Sequence, residues 1–151
     1  MTIKAVPLSP EDFCLEPDAS LMDALKLMLD KGVNHIPICD PHAYVGTVGI
    51  NDILLELIPV SARVEHGLAD LKFAGDAARL LTAHVEDLKH RTVKELVKKG
   101  KVLDESCPLL EAALLLSQAP SPLPVVGAGG EFRGMLSRRA LLSYLVAQEE
   151  G

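Results

Sequence analysis

The sequence predicts an α/β (α+β) fold made of two copies of one β-α-β-β-α unit, with a helical insertion between them. Two long spans of the chain can be laid over one another. Within each span, apolar residues at helical spacing give way to short aliphatic strands and then to a second helix. Between the spans, apolar stripes at helical spacing continue without a strand signal.

Residues 15–58, "LEPDASLMDALKLMLDKGVNHIPICDPHAYVGTVGINDILLELI", lie over 103–146, "LDESCPLLEAALLLSQAPSPLPVVGAGGEFRGMLSRRALLSYLV". Leu21, Asp23 and Ala24 fall on Leu109, Glu111 and Ala112, and Pro37 falls on Pro124. Gly46 falls on Gly134, Ile53 on Leu141 and Leu57 on Leu145. One residue is lost before the second proline and regained in the following turn. Agreement over so long a span, with proline and glycine in step, marks a duplication.

Each element has a local cause. Short stretches, "FCL" and "KVL", open the two units as strands. Ser20 can cap a helix whose apolar positions Leu21, Ala24, Leu25, Met28 and Leu29 share one face, and Gly32 can end it. "HIPIC" reads as a strand, "DPHA" as a turn and "YVGTV" as the return strand, before a helix over about 51–58. In the second copy, Pro108 suits a first helical position. There "LPVV" and "FRGML" are strands and "GAGG" is the turn between them.

Between the copies, residues 59–100 read as helical. Val64, Leu68 and Leu71, then Leu80, Leu81, Val85 and Leu88, give the apolar stripes, with Gly67 and Gly75 as bends. "TVKE" from Thr92 to Glu95 has the spacing of a capping box for a short helix ending at Gly100. The expected division is therefore 1–60 for the first unit with its N-terminal arm, 61–91 for the insertion and 92–151 for the second unit.

The bulk numbers exclude several classes. The chain has 151 residues, 48% hydrophobic but only 3% aromatic, so its core must be aliphatic. Few aromatics and a net charge of −6 argue against a nucleic-acid surface, which needs stacking platforms and a basic field. Cys14, Cys39 and Cys107 are far apart and form no metal-ligand or redox spacing; in aliphatic surroundings they read as small buried hydrophobes. No signal-like N-terminus and no membrane-length apolar run is present, so a cytoplasmic location is expected.

With these residues in place, the chain resembles a tandem pair of CBS domains, or Bateman module, of the stand-alone kind. The resemblance covers roughly 13–58 and 101–147. It rests on the element order, on the strands "IPI" and "LPV", and on the pattern G-x-hydrophobic-[ST]-x-x-[DN] after the third strand. The "TVKELVKKGKVL" lead-in is also similar to that of a CBS unit. The resemblance implies two units packed sheet to sheet about a pseudo-twofold axis, forming two clefts. It further implies that those clefts hold adenosine-containing ligands such as AMP, ADP, ATP or S-adenosylmethionine. Such pairs often dimerise into a flat disc, and they regulate rather than catalyse.

In the family pattern the hydroxyl residue caps the last helix, leaving its N–H groups and positive dipole end facing the cleft. The acid three residues later accepts from both ribose hydroxyls. The same spacing also serves as an ordinary capping box. Here the two copies depart from the pattern in opposite ways. "VGTVGINDIL" keeps Asp52 but has Gly49 in place of the hydroxyl. "GMLSRRALL" keeps Ser137 but has Ala140 in place of the acid. A glycine at position 49 would tolerate an unusual φ and let a ligand approach the backbone.

The resemblance also implies ligand-binding places for His35, Ile36 and Pro37 on the "IPI" strand, and for Lys101, Val102 and Leu103 on the strand facing the first motif. His35 and Lys101 read equally as exposed strand-end residues. Arg138 starts a helix, where a cation is unfavourable to the dipole; that points to an anion or to an acidic partner. His42, His66, His84 and His90 have no partner spacing and receive no role.

No nucleophile-base pair, phosphate loop or metal set supports an enzyme, and no cofactor is required. Two readings remain. One is a regulatory module that binds an adenosine-containing ligand and signals to an unidentified partner protein. The other is a dimerisation or interaction module with vestigial clefts. Apolar stretches such as "LLEAALLL" favour a homodimer in either case.

Overall fold

The structure, a computed structural model, describes residues 1–9, 13–58, 74–119 and 122–150. Among them are five α-helices and two small sheets of mixed α/β type. Helix α1, Leu21–Lys31, starts where Ser20 Oγ accepts the Asp23 N–H at 3.0 Å. It stops at Gly32, whose φ of 67° lies in the left-handed region. Its inner face of Leu21, Met22, Ala24 and Met28 is buried. Strands β1, His35–Asp40, and β2, Ala43–Gly49, form a two-stranded sheet. Helix α2, Ile50–Leu57, follows β2 without a loop.

Helix α3, Ala74–Asp87, is followed by two 3-10 turns, Leu88–His90 and Val93–Glu95. The apolar positions Val64, Leu68 and Leu71 lie outside the described residues, as does His66. The second copy runs β3 Leu103–Asp104, α4 Leu109–Gln118, β4 Leu123–Val126, β5 Phe132–Leu136 and α5 Arg138–Glu150. Its sheet has the order β3-β4-β5. Leu103 is parallel to Val125, and β4 and β5 are antiparallel with an irregularity between Val125 and Val126. In the first copy the stretch at "FCL" forms no ladder strand among the described residues; Leu15 makes an isolated bridge.

Two sequence expectations are corrected. Pro108 is the residue before α4, with extended φ and ψ of −61° and 145°, rather than its first helical residue. The "TVKE" stretch is a single 3-10 turn, and the Thr92 side chain makes no cap bond. The chain cannot continue as a helix to Gly100 because Lys98 leaves to pair with β2. Thr47 N–H donates to Lys98 O at 2.9 Å and Lys98 N–H to Thr47 O at 3.0 Å.

The chain divides into two compact units that interleave along the sequence. One comprises Met1–Cys14, Pro37–Gly46 and Lys99–Gly151; the other comprises Leu15–Ile36 and Thr47–Lys98. The first unit is built on Ile3, Val6, Leu103, Leu116, Val125 and Leu136, all buried. A second cluster in it stacks Tyr44 on Phe132, with ring centroids 6.0 Å apart and planes 23° apart. The other unit buries Leu21, Ala24, Met28, Val48, Ile53 and Leu88.

Each unit is closed by a short lead-in, and the two lead-ins are alike. In one unit Val93 N–H donates to Ala19 O at 2.9 Å and Leu21 N–H to Arg91 O at 2.8 Å. In the other, Ile3 N–H donates to Cys107 O at 3.0 Å and Leu109 N–H to Met1 O at 3.3 Å. Both lead-ins hold a 3-10 turn, Ile3–Ala5 and Val93–Glu95, and each turn buries its first residue. "TIK" at residues 2–4 thus does for the second copy what "TVK" at 92–94 does for the first.

Losing the Ser20 cap bond should cost about 1 kcal/mol. Urea unfolding of Ser20→Ala is expected to show that loss. Thr92→Ala, which removes no cap bond, should lose less than half as much.

Candidate functional site

The start of α2 is positioned from two sides. Ile50 N–H donates to Asn34 O at 2.8 Å, which brings the first helical residue beside the start of β1. That contact sets His35 next to Gly49. A Cβ added at Gly49 would lie 3.1 Å from Asp52 Oδ2 and 3.5 Å from His35 Cδ2. The imidazole and the carboxylate therefore occupy the space where a serine or threonine side chain would sit. Gly49 itself has φ −99° and ψ 148°, ordinary extended backbone, so its tolerance of unusual φ is not used here; what the glycine gives is room. Asp52 lies in the first helical turn, where a negative charge complements the dipole.

His35 Nδ1 is enclosed and has no hydrogen-bond partner among the described residues. Such a group is unusual in a folded protein and marks a place where a ligand or water can complete the bonding. Ile36 and Pro37 are buried in β1. His35, Gly49 and Asp52 are thus brought together, and Ile36 follows His35 in β1.

The cation at the acid is Lys98, which sequence reasoning missed. Its Nζ lies 3.0 Å from Asp52 Oδ1. The signal was the run of lysines at 98, 99 and 101, but nothing in the sequence says which one reaches the carboxylate. Lys101 is exposed and Val102 half-buried, and Leu103 is a core residue paired with Val125. Beside Asp52 a pocket of about 250 Å³ is lined by Leu55, Glu56, Glu95, Val97 and Lys98. Its two glutamates share one cation: Arg91 Nη2 is 2.7 Å from Glu56 and its Nε 3.1 Å from Glu95. The hydrogen bond that Arg91 donates to Glu56 is the main reason its pKa is raised above the ordinary value. From the insertion, His84 Nδ1 reaches Leu57 O at the end of α2 at 3.0 Å.

The second motif is built differently. Ser137 Oγ accepts the Ala140 N–H at 3.0 Å, so the hydroxyl caps α5 as its place in the pattern implies. Arg138 turns away from its own dipole. Its Nε donates to Leu116 O at 2.8 Å and its Nη2 to Ala119 O at 2.7 Å. The cation thus serves the C-terminal end of α4, where positive charge is favourable, and this removes the reason for inferring an anion there. In this unit a larger cavity of about 320 Å³ is lined by Cys14, Cys39, His42, Glu131, Phe132 and Arg133. Its charges are matched internally, Arg133 lying 3.5 Å from Glu131 and 3.3 Å from Glu105.

Cys107 is buried, and burial, with Glu111 nearby, pushes its thiol pKa up, the opposite of what a nucleophile needs. Among the described residues no three His, Cys, Asp or Glu side chains group so as to hold a metal ion. None of the described helices is long and apolar enough to cross a membrane.

A duplicated α/β unit, each copy ending in a strand that runs straight into a helix, defines a class of tandem repeat modules. The chain belongs to the CBS domain family: the family model, "CBS domain", matches residues 3–59 and 85–147. It is thus a tandem pair. Among solved structures it is similar to the CBS-pair protein CBSX2 from Arabidopsis thaliana, at 22% identity and a TM-score of 0.73, covering 99% of this chain and 97% of that one. CBSX2 in complex with AMP matches at 25% identity and a TM-score of 0.68, over 98% of both chains. CbpB in complex with c-di-AMP matches at 18% identity and a TM-score of 0.67, over 95% of this chain and 83% of that one. A comparison with curated protein sequences gave no match.

Removing the Arg138 guanidinium leaves two carbonyls at the end of α4 to water. Arg138→Ala should therefore lower stability by about 1 kcal/mol, the usual charged-bond value discounted for exposure. Thermal unfolding checks the loss. Binding of any adenine ligand should be unchanged in that variant.

Proposed function

We propose that the chain is a regulatory module that binds an adenosine-containing ligand and passes its occupancy to a partner protein. The observation that carries this is the meeting of His35, Gly49 and Asp52 at the start of α2: an acceptor pair for a ribose diol beside an enclosed, unsatisfied ring nitrogen. The AMP complex of CBSX2, similar along nearly its whole length, supports adenosine as the ligand's core. AMP, ADP, ATP and S-adenosylmethionine share that core. The module needs no cofactor and has no catalytic step.

The two motifs are unequal in this reading. Asp52 anchors the ribose in the first. Ala140 cannot do so in the second, which would hold a ligand through Ser137 and backbone groups alone. Of the other family positions, Ile36 belongs to the same compact unit as His35 and Asp52 and is read as its apolar wall. The interaction-module reading is favoured by one specific fact, that each motif lacks one member of its pair.

Dimerisation belongs to both readings. In one unit Leu110 is 85% exposed, and Leu114, Leu142 and Val146 are each more than half exposed, on α4 and α5. We read this face as the contact with a second copy, isologous and symmetric. Light scattering should give a dimer at micromolar concentration, and Leu110→Glu with Leu142→Glu should give a monomer. A monomeric parent chain would remove the claim.

A ligand at a hundred times its dissociation constant adds about 2.7 kcal/mol, a melting shift of about 5–10 °C for a chain of this size. AMP, ADP, ATP or S-adenosylmethionine should produce it where guanosine and inorganic phosphate do not. Asp52→Ala should weaken that ligand roughly ten- to hundredfold, and Ser137→Ala should change it little. A flat response across the adenine panel would favour the interaction module.

A further inference from the structure

We propose that Lys98 is an internal competitor for the Asp52 carboxylate, and that it makes the first site prefer phosphorylated adenosine over the bare nucleoside. This rests on the reading of Asp52 as the ribose anchor. Both oxygens are wanted by a ribose diol, yet Lys98 Nζ already holds Oδ1 at 3.0 Å. The lysine cannot move off as a whole, because its backbone is tied to Thr47 by two hydrogen bonds of 2.9 and 3.0 Å. Its side chain is 73% exposed and can swing about that fixed point.

The choice of partner follows from the charges around it. Three carboxylates line the pocket beside Lys98: Asp52, Glu56 and Glu95. Glu56 and Glu95 are held by Arg91, at 2.7 and 3.1 Å. Asp52 is the carboxylate left for the ammonium. A nucleoside must therefore displace a cation using two neutral hydroxyls, and it returns nothing to the ammonium but water. A nucleotide offers a second anion. An ammonium has three donors on a flexible stem, so it can turn to a phosphate while the ribose takes the carboxylate. The ion pair then works against adenosine and is exchanged, charge for charge, by AMP.

Exposed ion pairs of this kind alter affinity by roughly two- to fivefold, and salt screens them. The test is calorimetric titration of the full chain and K98M with adenosine and with AMP, at low and high ionic strength. In the parent protein, adenosine should bind more tightly as salt rises while AMP binds more weakly. In K98M, adenosine should bind roughly two- to fivefold more tightly, and without salt dependence, while AMP loses affinity. A melting temperature unchanged by K98M assigns these shifts to the site. If adenosine binds both proteins alike, the competitor role is wrong while the ribose anchor stands. If neither ligand binds either protein, the ribose anchor fails and the competitor role fails with it.

Discussion

A reciprocal pair of backbone hydrogen bonds organises the duplicated chain. Tyr44 N–H donates to Gly130 O at 3.1 Å, and Phe132 N–H donates to His42 O at 2.8 Å. His42 and Gly130 hold the same place in the two copies, as do Tyr44 and Phe132. Each hairpin end therefore pairs with its own image, and the two rings stack across the junction. From there β2 runs to Gly49 and β5 to Leu136, and a helix follows each strand end almost directly. The start of each final helix is thus set by a strand whose other end is anchored.

The copies have since taken different ways of satisfying that helix start. In the second, a serine hydroxyl accepts a backbone N–H and an arginine reaches back to the preceding helix. In the first, no side chain caps α2 from position 49. A carboxylate and an imidazole fill the gap above Gly49 instead. The second copy's arrangement is closed by internal bonds. The first copy's leaves a polar atom unsatisfied and a carboxylate held by an exposed lysine, which is where binding energy can be gained.

Much of the fold was legible because it depends on local chemistry. Ser20 and Gly32 bound α1 as capping and left-handed backbone demand, and the strands around Pro37 and Pro124 follow from aliphatic runs ended by turns. What stayed hidden depends on distant pairing. Thr92 has the spacing of a cap, but pairing of Lys98 with Thr47 pulls the chain out of a helix before the cap forms. The kinship of "TIK" with "TVK" is three residues long, too short to stand out until both turns are seen burying Ile3 and Val93. For the site, Asp52, Gly49 and His35 were readable from one motif and one strand. Which lysine reaches Asp52 is a matter of strand phase, and Arg138 finds its carbonyls on a helix that spacing alone does not connect to it.

The crossed lead-ins bear on the order in which the chain assembles. The segment at 91–98 precedes the second copy but completes the first, while the N-terminal segment precedes the first copy and completes the second. A nascent chain therefore cannot finish its first copy until residues near 98 have left the ribosome. Its opening residues must wait longer, for Cys107 and Met135. Closing so long a loop is not costly at equilibrium, since each doubling of length adds only about 0.6 kcal/mol. It is slow, because distant contacts are rewarded only after the loop has closed. Residues 1–9, which come ahead of both copies, are thus among the last to find their place.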